Sequence, residues 1–205
     1  MAKTQSGLFA LGASGSIGGA LTFASWKGRQ YARRLVIPSN PNTPAQRSVR
    51  ASMSWGSKEW AQLTAPQQLT WEPAAKAKNY LPFNAFISQG QLNMSQGLGF
   101  QVADPNVPVA APAVATVPSA TGGKGQASLV WTDGVGAQQF GYMIHALLGG
   151  AVTPSTQNIY GMADQGDQAI IIAKLLPGTW HFKIVAFATD GEVSAATADF
   201  TAVVT

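Results

Sequence analysis

The chain has no cysteine, so disulfide frameworks and thiolate metal sites are excluded. It has only two histidines, His145 and His181, which could build a metal centre only with carboxylates such as Asp164 or Asp167. Both histidines alternate with apolar neighbours and are expected on the outward faces of their strands. No metal and no cofactor are expected. No run of eighteen apolar residues exists, so no transmembrane helix is expected. The segment Leu8 to Ala24 is broken by Gly12, Ser14, Gly15, Ser16, Gly18 and Gly19, which a secretion signal with a solid apolar core would not tolerate. Nucleophile chemistry also lacks its frame. Gly12-Ala13-Ser14-Gly15-Ser16 misses the last glycine of a nucleophile elbow, and Gly122-Gly123-Lys124-Gly125 lacks the leading glycine and the hydroxyl residue of a phosphate loop. No paired carboxylates stand out, so catalytic residues are not expected and the chain reads as a non-enzyme. Asn93-Met94-Ser95 is a glycosylation sequon by pattern only, on an expected helix.

What is present begins with an uneven charge. Residues 1–104 hold ten Lys and Arg against Glu59, Glu72 and Asp104, a balance of +7. Residues 105–205 hold Lys124, Lys174 and Lys183 against six acids, a balance of −3. Basic stretches face acidic protein surfaces or nucleic acid when they are not simply solvated.

Residues 1–20 are rich in Gly, Ser and Ala and short of charge, and read as a flexible arm. Leu21 to Trp26 and Gln30 to Ile37 read as two strands joined by Lys27-Gly28-Arg29, a hairpin that is marginal without a neighbour. Pro38 to Asn42 is a stiff connection. Thr43-Pro44-Ala45-Gln46 carries a capping box with proline at the first helical position, and Ala45, Val49, Met53, Gly56, Trp60 and Leu63 continue it at helical spacing. Thr64-Ala65-Pro66-Gln67 repeats the box, Pro73 demands a break, and Leu81-Pro82-Phe83-Asn84 opens another helix with Phe83, Phe86, Ile87, Gly90 and Met94 on one face. The core of this half is expected to gather Trp55 or Trp60 with Trp71, Phe83 and Phe86.

Periodicity then changes from helical to alternate near Asp104. Ala169 to Ala173 is a strand-length apolar run, Pro177-Gly178 a turn, and Trp180 to Phe187 a long strand with Trp180, Phe182, Ile184 and Ala186 on one face. Thr189-Asp190-Gly191 closes a hairpin onto a strand expected from Ala195 to Val204. Leu175, Pro177-Gly178-Thr179, Trp180, Phe182, Ile184, Ala186, Asp190-Gly191 and Ser194 together resemble the end of a fibronectin type III domain, with Trp180 where the family has a corner tyrosine. Ala127 to Trp131 resembles its second strand and Tyr142 to Ala146 its third. The resemblance implies a seven-stranded immunoglobulin-like sandwich with a core of Leu129, Trp131, Ile144, Trp180, Phe182 and Ile184. It implies spacer or binding modules far more than enzymes.

The first half has its own likeness. Gly18-Gly19, Trp26-Lys27-Gly28-Arg29, Asn40-Pro41-Asn42-Thr43-Pro44-Ala45-Gln46, Trp60 to Thr64, Gln67, Trp71 and Pro82-Phe83-Asn84-Ala85-Phe86 resemble, in that order, a family encoded among the structural genes of tailed phages and prophages. The fold class is thus an α+β N-terminal module, a β-hairpin plus about three helices, followed by an all-β sandwich. The divisions are a flexible arm at 1–20, an anchoring module at 21–104, a Pro-rich linker at 105–111 and the sandwich at 112–205. The phage resemblance implies a virion part. Its partners would be capsid, portal or tail subunits and other copies of itself, met through Trp26, Lys27, Arg29, Tyr31, Arg33 and Arg34. Nucleic acid is disfavoured, because a single aromatic pair and few cations offer little stacking and few phosphate contacts. The alternative is a secreted or surface-attached sandwich module that binds glycan or protein.

Overall fold

The computed structural model describes residues 14–37, 39–134 and 139–205, so the expected arm lies outside the described residues up to position 13. The chain divides into two compact units, one ending at Pro41 and one spanning Asn42–Thr205.

The first unit is a three-stranded antiparallel sheet, β1 (Gly15–Ile17), β2 (Leu21–Trp26) and β3 (Arg29–Arg34), in that order. The end of the expected arm is thus itself a strand, giving the hairpin its neighbour. The β2–β3 loop is the two-residue Lys27-Gly28, with φ of 47° and 78°. Two consecutive left-handed residues make the turn whose twist matches paired strands, and a side chain is strained there while glycine is not.

The second unit holds both the helices and the sandwich. Its helices are α1 (Pro44–Gln62), α2 (Ala65–Leu69), α3 (Glu72–Lys78) and α4 (Pro82–Ser95). Among the described residues there are therefore four helices, where about three were expected. The extra one arises at Pro73, which sits near the start of α3 and separates it from α2. Both capping boxes form. Gln46 Oε1 accepts from the Thr43 backbone while Thr43 Oγ1 accepts from the Gln46 backbone, and Gln67 Oε1 accepts from the Thr64 backbone at 2.8 Å.

Seven strands follow: β4 (Thr116–Gly123), β5 (Gln126–Thr132), β6 (Gln139–Leu148), β7 (Ile159–Asp164), β8 (Ala169–Ala173), β9 (Gly178–Ala188) and β10 (Phe200–Val204). They form two sheets, ordered β4-β5-β8 and β10-β9-β6-β7. Between the sheets lies a core containing Leu129, Trp131, Ile144, Trp180, Phe182 and Ile184, joined by Tyr142, Ala186, Ala202 and Val204. The corner at Trp180 closes with a different donor: its indole N–H donates to the Leu176 carbonyl at 2.8 Å. The last strand is shorter than expected. Ser194 and Thr197 accept the Ala186 and Ile184 backbone N–H groups through their hydroxyls while their own backbone N–H groups donate to the Ala186 and Ile184 carbonyls, so side chains stand in for the acceptor half of the ladder before Phe200.

The expected division at residues 105–111 is not where the chain separates. The four-stranded sheet is covered on its outer face by the helices, and one continuous core joins Trp55, Trp71, Phe86 and Phe100 to Phe140, Met143, Ile159, Met162, Val185 and Phe187. Trp55 stacks edge-on against both Phe140 and Phe187, at centroid distances of 5.3 and 5.2 Å. Segment 105–111 is no spacer. Asn106 Nδ2 donates to the Asp190 carbonyl, and the Val109 backbone N–H donates to the Asp190 carboxylate, both at 2.8 Å.

The buried face of α1 is also rotated from the expected stripe. Ser48, Ser52, Trp55, Gly56 and Glu59 face inward, while Val49 is 54% exposed and Met53 is also exposed. The two inward serines find partners. Ser48 Oγ donates to the Thr156 carbonyl at 2.6 Å, and Gln91 Nε2 donates to Ser52 Oγ at 2.8 Å. On α4, Gly90 lies so close to the Phe100 ring that a Cβ there would stand 2.0 Å from it.

Candidate functional site

In the first unit, register sorts the six expected docking residues. Opposite partners share a face, so Thr22 with Arg33, Ala24 with Tyr31, and Trp26 with Arg29 form one side of the sheet. Leu21 with Arg34 and Phe23 with Ala32 form the other, continued by Gly15 and Ile17 of β1. Trp26, Arg29, Tyr31 and Arg33 are therefore brought together, and Arg34 is not. Lys27 sits in the turn with its Nζ 4.8 Å from the centre of the Trp26 ring. Trp26 is 66% exposed, and no described residue of this sheet is buried. The opposite side carries Ile17, Leu21 and Phe23, an apolar strip with a single cation at its edge. The unit boundary also redistributes charge. Residues 1–41 hold five Lys and Arg and no acid, +5; residues 42–205 hold eight against nine, −1.

The histidines do not converge with aspartates into a metal site. His181 Nδ1 lies 2.6 Å from Asp199 Oδ2 on the surface. His145, expected outward, is buried, because the helical layer covers its face of β6. Its Nδ1 lies 2.7 Å from Asn158 Oδ1, and burial pushes its pKa down against the opposing bonds to Asn158 and Ser155. It lines a cavity of about 440 Å³ together with Met94, Met143, Ile159, Val185 and Val193. Among the described residues, no group of three or more His, Asp and Glu side chains gathers as a metal site. Asn93 of the sequon is buried and bonded to Gln101 and Gln89, which removes it as a glycan acceptor in this fold.

One polar feature was not singled out in the sequence. Glu59 of α1 is only 7% exposed, on the inward face of the helix, and Asp164 ends β7 beneath it. Both line a cavity of about 290 Å³ with Gln62, Gln67, Gln165 and Thr189. Glu59 Oε2 and Asp164 Oδ1 are buried without a hydrogen-bond partner, and Gln62 Nε2 donates to the other Asp164 oxygen at 3.4 Å. Burial, and secondarily the Asp164 charge, push the Glu59 carboxyl up to about 7. Only the inward rotation of α1 joins these two residues, 105 positions apart, so spacing held no signal for them.

No family model matches the chain, and no curated protein sequence matches it. Among solved structures, it is similar to the fibronectin type III domain of human contactin 1 at 14% identity and a TM-score of 0.41, over 48% of this chain and 83% of that one. It is similar to the Fn3-like protein from Clostridium thermocellum at 20% identity and a TM-score of 0.34, over 47% of this chain and 96% of that one. The FN1–FN3 domains of chicken CNTN1 match at 15% identity and a TM-score of 0.40, where the match covers 45% of this chain and 31% of that one. The likeness is one of fold, to fibronectin type III domains.

Proposed function

We propose that the chain is a non-enzymatic structural subunit of a tailed bacteriophage particle, a decoration, cement or tail-associated protein, located in the virion. It docks through its first unit and displays the helix-covered sandwich. The observation that supports this most is the sheet of β1 to β3: it belongs to an acid-free unit of +5 balance, carries a cation–aromatic face of Trp26, Arg29, Tyr31 and Arg33, and has no fully buried residue among the described ones. A small sheet with so little buried apolar surface gains stability from a neighbour. The ordered motifs from Gly18 to Phe86 supply the phage assignment. The partner surface is read as acidic protein, capsid, portal or tail, because a protein can also cover the apolar strip of Ile17, Leu21 and Phe23. Nucleic acid would meet only a few cations. The anchor is narrower than the sequence division suggested: residues 1–41, with the helices kept on the displayed part.

Mass spectrometry of purified particles tests the reading. The chain should be present, the fragment 42–205 should fail to decorate particles lacking the native protein, and Arg29→Glu with Arg33→Glu should weaken decoration. Absence from the particle, or decoration by 42–205 alone, overturns it.

A further inference from the structure

We infer that Glu59 and Asp164, with the neutral oxygens lining their shared cavity, form a binding site for a divalent, oxygen-seeking cation of the calcium type. Each carboxylate presents a buried oxygen with no hydrogen-bond partner, Oε2 of Glu59 and Oδ1 of Asp164. Glu59 is more than nine-tenths buried, so water cannot freely solvate that lone pair. Two like charges held in a low-dielectric site need a positive counterpart. A single proton shared between them still leaves a net negative charge in the site. A divalent cation meets both.

The remaining donors suit a hard ion. Gln62, Gln165 and Thr189, whose side chains carry amide or hydroxyl oxygens, line the same cavity of about 290 Å³, which has no sulfur or imidazole in its lining; Gln62 also turns its amide N–H to Asp164. The Gln67 oxygen is engaged by Thr64 and contributes less. Calcium accepts six to eight oxygens in flexible geometry and takes part of its shell from water, which a site with two carboxylates requires. The other charged or titratable groups on α1 are Arg47, Arg50 and Lys58; Tyr160 lies on β7 and Asp167 in the β7–β8 turn. Of these, Arg47, Lys58, Tyr160 and Asp167 line the neighbouring cavity with Asp164. A cation here would bridge α1 to β7 and tie the helical layer to the sandwich. It is independent of the docking role of the first unit.

Thermal unfolding of the full chain at pH 8 tests it, with CaCl2 or MgCl2 against NaCl of matched ionic strength. Calcium should raise Tm saturably, by about 3–6 °C at ten times Kd. The rise should disappear in E59Q and D164N, which keep the shape of each side chain. Calorimetry with CaCl2 on the wild-type chain supplies a second readout, a saturable binding heat that E59Q should lose. No rise with either salt beyond the NaCl control, no saturable binding heat, or an undiminished rise in E59Q overturns the site.

Discussion

Replacing Glu59 by Gln should stabilise the second unit at alkaline pH and leave it nearly unchanged in acid. The carboxyl has an ordinary value of 4.5 and is raised to about 7 in the fold, chiefly by burial and then by Asp164. Between those values the folded chain holds a proton that the unfolded chain has released. Stability therefore falls as pH rises across that window: the favourable contribution is complete below 4.5 and is lost as pH passes through 7. The shift corresponds to no more than about 3 kcal/mol at 1.36 kcal/mol per pKa unit. Gln mimics the protonated acid without its titration. Urea unfolding followed by tryptophan fluorescence, in metal-free buffer at pH 5, 6, 7 and 8, should show the two proteins together at pH 5. They should separate progressively, with E59Q the more stable by about 1–3 kcal/mol at pH 8. Equal stability at all four values, or E59Q the weaker at pH 8, would refute the view that an ionised Glu59 is costly against Asp164.

Three further outcomes follow from the packing. The fragment 112–205 should bind a hydrophobic dye and aggregate, because removing the helices uncovers Phe140, Met143, Val185 and Phe187, whereas 42–205 should unfold in one transition seen alike by far-UV circular dichroism and by tryptophan fluorescence. Gly90→Ala should cost at least about 1–3 kcal/mol in urea unfolding, since its methyl would stand 2.0 Å from a fully buried Phe100 ring; a cost below 0.5 kcal/mol would show that the ring can move aside. Trp180→Phe should cost about 1–3 kcal/mol, from lost packing and a Leu176 carbonyl left without its indole donor, and an unchanged urea midpoint would remove the corner bond from the account.

Much of the molecule is written in local chemistry. The Thr-x-x-Gln boxes at Thr43 and Thr64 start helices because a hydroxyl and an amide satisfy backbone N–H groups within one turn, and no distant contact is needed. Lys27-Gly28 and Lys124-Gly125 close hairpins because glycine permits the left-handed backbone such turns need. The parity of Trp180, Phe182, Ile184 and Ala186 names one face of β9 correctly, because a strand alternates its side chains whatever lies beyond it.

What lies beyond was decided by tertiary structure. Val185 and Phe187 sit on the face of β9 that alternation alone would leave to solvent, and the helices bury them there. The unbroken run from Ile184 to Ala188 carried that signal, since a strand covered on both faces reads as continuously apolar. The same covering buries His145 and fastens residues 105–111 along Asp190. It also turns α1 so that Ser48, Ser52 and Glu59 face inward ahead of Val49 and Met53, a choice that hydrophobic periodicity cannot anticipate when the two serines find partners on other elements. Burial is a property of pairs of surfaces. The residues of one strand or helix state their own geometry, and only the assembled layers state which side of it meets water.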